Sequence, residues 1–166
     1  GFFGNCDPKN KKNYRTRCSA LISFNKSNIL IDTSTDLRQQ LLDAKINSID
    51  GILYTHFHAD QTHGINDLRA FYIKNQKKIP IYCDTITAKY LKSTFSYCFK
   101  KKYDYDPILK INKLKKNFEI GMPSNPIKIL SIRVKHGLIN SIAYIINESI
   151  AYVSDANEIY LKDIKY

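Results

Sequence analysis

The sequence "ILYTHFHADQTHGINDLR", residues 52–69, decides the fold, because an apolar run ends there in a polar loop. Three of the chain's four histidines, His56, His58 and His63, lie in this loop. If a strand ends at Thr55, side-chain alternation directs His56 and His58 to the same side. Imidazole nitrogens at a strand end are suited to a divalent metal ion. The alternative is a set of surface histidines without a ligand, since short motifs also produce false matches.

Polar residues also stand at the ends of two later strands. His136 follows the apolar run in "RVKHG", and Asp155 follows the one in "AYVSDA". Because functional residues gather in loops at sheet edges, we predict that both lie with the histidine loop and its carboxylate, Asp60. For Asp155 an alternative remains, which is to cap a helix in "NEIYLKDI".

The hydrophobic pattern around the loop predicts alternating strands and helices. The predicted elements are a β-hairpin at 18–34, helices at 34–45, 64–76 and 85–100, strands at 49–55 and 79–84, and three strands between 127 and 155. This order is typical of an α/β or α+β fold with a mixed sheet. A length of 166 residues fits a single domain, 1–166.

The net charge of +11 favours anionic partners, although many of the lysines are expected only to solvate the surface. Basic runs at 100–102 and 113–116 are possible contacts for a nucleic-acid backbone. No apolar run is long enough to cross a bilayer, so we expect no membrane association. The four cysteines form no CxxC pair and are interpreted as reduced thiols of a cytoplasmic protein.

The motifs "THFHAD", "HG", "KHG" and "YVSDA" resemble those of the metallo-β-lactamase-fold hydrolases. The stretches "GNCDPKNKKNYRTRCSALI", "LIDTSTDLRQQLL" and "HADQTHGINDLR" are similar to the branch of PhnP-like cyclic phosphodiesterases and tRNA 3′-processing nucleases. The resemblance covers nearly the whole chain and implies an αββα sandwich. It also implies that the chain is truncated at both ends, without the first turn and a C-terminal strand or helix.

The resemblance assigns metal ligands residue by residue. His56, His58 and His136 would hold one divalent ion, either Zn²⁺ or Mn²⁺. Asp60 would hold a second ion, and Asp155 would bridge the two, so both aspartates are the expected catalytic residues. A metal-activated hydroxide would be the nucleophile.

The chain departs from the family pattern at Gln61, where relatives have a histidine, and this leaves one or two ions as the expectation. His63 is expected to brace the next helix rather than replace that ligand. Asp32, in "LIDTS", either orients a ligand histidine or caps a strand end. Arg69 either binds a substrate phosphate or pairs with Asp67.

The expected function is therefore hydrolysis of a small, cyclic phosphodiester or nucleotide. One alternative is an endoribonuclease of the tRNA 3′-processing type, with RNA as its partner. Another is a nucleotide-binding module whose second metal site is degraded, as Gln61 suggests. A homodimer is also possible.

Overall fold

Two five-stranded sheets form the centre of the protein in the computed structural model, which describes residues 3–160. Helices cover the outer face of the first sheet, and the two sheets pack against each other through a shared apolar layer. This arrangement confirms the predicted αββα sandwich, with one helical layer and both sheets in place. Within residues 3–160 there is no helix after Cys98.

The first sheet has the order β1-β2-β3-β4-β5, and the second has the order β10-β7-β8-β9 with β6 also paired to β7. The strands are β1 (Ala20–Phe24), β2 (Ser27–Ile31), β3 (Gly51–Leu53), β4 (Ile79–Cys83), β5 (Leu109–Lys113), β6 (Asn117–Ile120), β7 (Ile127–His136), β8 (Ile139–Ile146), β9 (Ile150–Tyr152) and β10 (Glu158–Ile159). The α-helices are α1 (Leu37–Ala44), α2 (Ala59–Thr62), α3 (Arg69–Asn75) and α4 (Thr85–Thr94).

The first sheet directs its loops to one edge. The predicted hairpin is confirmed, because β1 and β2 pair antiparallel through a two-residue turn at Asn25 and Lys26. Both turn residues have positive φ, as the twist of a tight hairpin requires. Strands β2, β3, β4 and β5 then run parallel, so their carboxyl ends meet at the same edge. Ligand sites in such sheets lie at this edge.

Side-chain alternation divides the apolar residues of each strand between two layers. In β2, Ile29 and Ile31 face the second sheet, whereas Leu30 faces the helices. The inter-sheet layer is completed by Leu53, Ile120, Ile127, Ile129, Ile142, Tyr144 and Ile146. Fully buried aliphatic side chains each contribute about 1.5–3 kcal/mol, so this layer holds the two sheets together.

Three predicted helices differ from the structure. The segment 64–76 begins with a 3₁₀ turn, Ile65–Leu68, which buries both of its apolar ends, and only then becomes α3. The segment 85–100 leaves the α conformation after Thr94, because Phe95 and Cys98 turn inward to the core. The start of "NEIYLKDI" forms strand β10 against β7 instead of a helix, while residues 161–166 lie outside the described part of the chain.

None of the helices described between residues 3 and 160 combines the length and apolar character needed to cross a membrane. The four cysteines are free, with Cys6 and Cys18 exposed and Cys83 and Cys98 buried.

Gly64 allows the histidine loop to approach the end of β2. A Cβ atom at this position would lie 1.9 Å from the Ser34 carbonyl oxygen and 2.7 Å from the Leu37 Cβ. The Gly64 amide donates a hydrogen bond to the Thr33 carbonyl at 3.0 Å, which fixes the approach. The glycine is therefore required by close backbone packing.

We predict that Gly64→Ala lowers the free energy of unfolding by about 3 kcal/mol, because the new methyl group meets rigid backbone. Gly51→Ala is the matched control, since its Cβ would meet only side-chain atoms of Ile120 and Tyr82, which can shift. Urea denaturation of both variants measures the difference. Equal losses in the two variants would contradict this account of Gly64.

Candidate metal centre

Four side chains from three distant parts of the chain converge at the carboxyl edge of the first sheet. They are His56, His58, His136 and Asp155, and their ligand atoms all lie within 4.8 Å of one another. His56 Nε2 is 3.0 Å from His58 Nδ1 and 3.6 Å from Asp155 Oδ2. His136 Nε2 is 3.4 Å from His58 Nδ1 and 3.7 Å from the same Asp155 oxygen.

These separations suit a single divalent ion. Donor atoms about 2 Å from a tetrahedral zinc ion lie about 3.3 Å from one another. Four of the six separations, from 3.0 to 3.7 Å, fall on both sides of that value, and the other two do not exceed 4.8 Å. Three imidazole nitrogens and one carboxylate oxygen are also the donor types that Zn²⁺ and related ions accept. The residues therefore fit a metal ion.

A chain of hydrogen bonds holds His56 in the form that can bind metal. Asp32 accepts two hydrogen bonds from Thr55, one from the amide and one from the hydroxyl, both at 2.8 Å. The Thr55 hydroxyl, having donated its proton, accepts one from His56 Nδ1 at 3.0 Å. With Nδ1 protonated, the lone pair of neutral His56 is on Nε2, the atom directed at the other ligands.

Burial determines the protonation states of His56 and Asp32. Burial, followed by the neighbouring His58, lowers the pKa of His56 to about 4, so the ring is neutral at pH 7. Burial also raises the pKa of Asp32 to about 8, against the effect of the two hydrogen bonds from Thr55. A cation among the ligands would favour the ionised form of Asp32, in which both Thr55 groups donate.

Asp32 itself has an unusual backbone, with φ of 59°. Aspartate tolerates this left-handed region better than most residues. The conformation is kept by the Asp32 amide, which donates to Leu53, and by the side-chain bonds to Thr55. Asp32 thus serves both alternatives raised by the sequence, since it ends β2 and also supports a histidine of the cluster.

The histidine loop is held against the end of β2 by hydrogen bonds to backbone carbonyl groups. The Thr33 amide donates to the Gln61 carbonyl at 2.8 Å, and the Thr33 hydroxyl donates to Thr62 at 3.0 Å. The Thr62 hydroxyl in turn donates to the His58 carbonyl at 2.9 Å. These bonds fix the turn that carries His58, so the ligand is placed by rigid backbone.

Asp60, predicted as a ligand, lies outside the four-residue cluster. Its Oδ2 instead accepts a hydrogen bond from Gln61 Nε2 at 3.1 Å, and its charge still acts on His56. Gln61 is buried, and among the described residues its Oε1 has no hydrogen-bond partner. The Gln61 side chain is thus hydrogen-bonded to the Asp60 carboxylate. This arrangement does not favour the binding of a second metal ion at Asp60.

His63 lies apart from the cluster and packs on the helical layer. Its Nε2 is 3.0 Å from the Tyr90 hydroxyl, and its ring stands edge-on to Phe95 at 5.4 Å between centroids. These contacts join the histidine loop to α4, whereas the sequence led us to expect a bracing contact with the next helix, at 64–76.

Arg69 is placed differently from either expectation. Its guanidinium lies 3.9 Å from the centroid of the Tyr105 ring, which is a cation–π contact. The small cavity beside it is lined by Asn66, Tyr97, Tyr105 and Ile108, none of which belongs to the metal cluster. Within residues 3–160 it forms no ion pair with Asp67. Binding of a substrate phosphate by Arg69 stays a prediction.

Sequence reasoning did not identify Thr55 or Ser154. The Ser154 hydroxyl donates to Thr55 Oγ1 at 3.3 Å, so a single hydroxyl connects Asp32, His56 and the residue before Asp155. The available signal was a hydroxyl residue directly before two of the four cluster residues, in "TH" before His56 and in "SD" before Asp155.

Residues 27–165 match the family model described as the beta-lactamase superfamily domain. An octanoyltransferase of Porphyromonas gingivalis (strain ATCC BAA-308 / W83) is 31% identical over 162 residues, which are 96% of this chain and 32% of that protein. The chain therefore spans about a third of this relative.

Among solved structures, a diphosphatase from the PhnP family aligns with a TM-score of 0.80 and 28% identity, over 96% of this chain and 61% of its own. The short form of human tRNase Z aligns with a TM-score of 0.62 and 15% identity, over 87% of this chain and 64% of its own. The second likeness concerns the fold alone. Together these findings confirm the resemblance to the PhnP-like branch of metallo-β-lactamase folds.

We predict that Thr55→Val weakens zinc binding by about 10- to 100-fold, because the ring of His56 loses the group that orients it. Thr55→Ser is the matched control, since it keeps the hydroxyl and should bind nearly as the unmodified chain does. Competition with a zinc chelator measures both affinities. If the serine variant lost as much affinity as the valine variant, the hydroxyl would not be the cause.

We also predict one bound divalent ion per chain. Gln61→Ala should leave this stoichiometry at one, because Gln61 contributes no donor to the cluster, whereas His136→Ala should abolish stable binding. Elemental analysis by mass spectrometry after gel filtration counts the ions. Two ions in the unmodified chain would contradict the prediction.

Proposed function

We propose that this chain, which belongs to the family of beta-lactamase superfamily domains, is a metal-dependent hydrolase of phosphodiesters. The proposed substrate is a small cyclic phosphodiester or a nucleotide. The observation that carries this proposal is the convergence of His56, His58, His136 and Asp155, whose ligand atoms all lie within 4.8 Å of one another. Zn²⁺ or Mn²⁺ bound by these residues would lower the pKa of a water molecule and polarise a phosphoryl oxygen.

The cluster is accessible from one side only. The side chain of His56 is 0% exposed, whereas those of His136 and Asp155 are 25% and 41% exposed. A substrate can therefore reach the ligands past Asp155, while the protein interior supports them from behind. The exposed side leaves room for a water molecule or substrate as a further ligand, which a catalytic metal site requires.

Two aspartates are the proposed catalytic residues. Asp155 would hold the ion at the open face. Asp60, half-buried and close enough for its charge to act on His56, would take up the proton of the attacking water. The water oxygen bonds to phosphorus, the phosphorus–oxygen ester bond breaks, and the departing alkoxide takes up a proton.

Phosphate chemistry is supported by charge and by one relative. The net charge of +11 favours an anionic substrate. The PhnP-family protein at 28% identity is named a diphosphatase. The octanoyltransferase name of the other relative points instead to an acyl group, but the match covers only 32% of that protein.

Two alternatives from the sequence remain open to test. An endoribonuclease of the tRNA 3′-processing type would retard tRNA in a gel at moderate salt. A nucleotide-binding module with a degraded metal site is favoured by the Asp60–Gln61 hydrogen bond. Such a module would bind nucleotide while retaining almost no metal.

We predict that the full chain, loaded with Mn²⁺ or Zn²⁺, hydrolyses 2′,3′-cyclic nucleotides and a simple aryl phosphodiester. Asp155→Asn and His136→Ala should each lower kcat/KM by at least about 100-fold, since loss of metal-based charge stabilisation costs several kcal/mol. Release of nitrophenol and of nucleotide monophosphate measures turnover.

His63→Gln is the matched control for the histidine change, because His63 contacts Tyr90 and Phe95 and not the cluster. Its activity should stay close to that of the unmodified chain. Absence of turnover with every phosphodiester, in protein shown to contain metal, would refute the proposed activity.

A further inference from the structure

Two cavities at the carboxyl edge of the first sheet join into one groove. The first, of about 560 Å³, lies between the start of α4 and the end of β5. The second, of about 700 Å³, lies between the segment after β5 and strands β7 and β8. They share the wall residues Leu114, Arg133, Asn140 and Ile142. The groove is therefore continuous across the space between the two sheets.

The lining of this groove is strongly positive. Four cationic side chains line it: Lys113, Lys115, Lys116 and Arg133. The only acidic residue among the lining residues is Asp84, and its Oδ1 already accepts a hydrogen bond from the Thr87 amide at the start of α4. We call this surface the basic groove.

Within residues 3–160, no ion pair neutralises the cations of the basic groove. Among residues 3–160, the lysines found in ion pairs are Lys101, with Asp106, and Lys135, with Glu158. No ion pair in that part of the chain involves a cation of the groove. Unpaired cations gathered in one concave surface repel one another, so an anion bound there would relieve the repulsion.

The basic groove adjoins the metal cluster through one strand pair. Arg133 in β7 is opposite Ile142 in β8, and Ile142 lines both cavities. The Ile142 amide donates a hydrogen bond to the Thr55 carbonyl at 2.9 Å. Thr55 directly precedes His56 and holds its ring, so two residues, Ile142 and Thr55, connect the groove with a ligand of the cluster.

We propose that the basic groove binds phosphate groups of the substrate other than the one that is hydrolysed. The substrate class is then a chain of linked phosphates, one at the metal cluster and at least one more in the groove. A single phosphate would leave most of four cations and about 560–700 Å³ of groove unused. This inference rests on the proposed function in that the metal cluster is taken as the place of reaction.

Two sources supply this chemistry, a nucleoside polyphosphate and a short oligonucleotide. Guanidinium and ammonium groups bind the phosphates of either without reading bases. The binding experiment therefore uses both as probes. Chelator is present throughout, so that binding is measured without metal and without turnover.

The test compares the full chain with Lys113→Gln/Arg133→Gln and with Lys77→Gln/Lys78→Gln. The second pair is the matched control, since it removes the same charge just before β4, at the opposite end of that strand from the groove. A 5′-fluorescein-labelled hexauridylate is titrated by fluorescence anisotropy and displaced by inorganic tripolyphosphate, by ATP or by inorganic monophosphate.

We expect the groove variant to bind at least about fivefold more weakly, with the control variant nearly unchanged. Loss of two phosphate contacts should also reduce the slope of log K against log salt by about 1.4 for the single-stranded probe. Displacement mainly by tripolyphosphate and ATP identifies polyphosphates as the source, and their failure to displace hexauridylate identifies oligonucleotides.

Equal weakening in the groove and control variants would overturn the proposal, because it would show only the effect of net charge. Tripolyphosphate and hexauridylate that bind no better than monophosphate would also overturn it. Failure of the proposed hydrolysis would appear separately, as absent turnover in metal-loaded protein with the binding difference intact.

Discussion

The hydroxyl group of Thr55 is the interaction on which the site depends. It donates to Asp32 and accepts from His56 and Ser154, so its one proton and both lone pairs are used. The three partners come from the end of β2, the end of β3 and the segment after β9. A buried polar group with every bond made is specific in geometry, because any shift leaves a partner unsatisfied.

This dependence links the fold to the chemistry. The parallel order of β2, β3 and β4 brings strand ends to one edge, and the inter-sheet core brings β7 and β8 beside them. The Ile142 amide then donates a hydrogen bond to the Thr55 carbonyl. This bond fixes the position of the second sheet relative to the first next to the metal cluster. Burial of apolar side chains thus supplies the energy, and a few hydrogen bonds select the arrangement.

Much of the fold was predictable from the sequence. Alternating apolar residues identified the hairpin and the strands, and "THFHAD", "KHG" and "YVSDA" marked strand ends that the structure brings together. Helix boundaries were predicted less well. Phe95 and Cys98 pack into the core, and this packing rather than local helix propensity determines where the helix ends. The environment of Arg69 was also missed, because stacking on Tyr105 joins residues far apart in the sequence.

Gln61 affects the site in two ways, through its own weak oxygen donor and through its hydrogen bond to Asp60. Its amide group donates to Asp60, so this carboxylate is held by a neutral neighbour. A histidine there would offer a nitrogen lone pair to a second cation, whereas a glutamine offers a weak oxygen donor and engages the carboxylate as well. We therefore expect no positive charge from a second metal ion on the side of Asp60 and Gln61. The cations of the basic groove lie on the side of Ile142, whose amide bonds to the Thr55 carbonyl, and such fixed charge would stabilise phosphate oxygens without any metal.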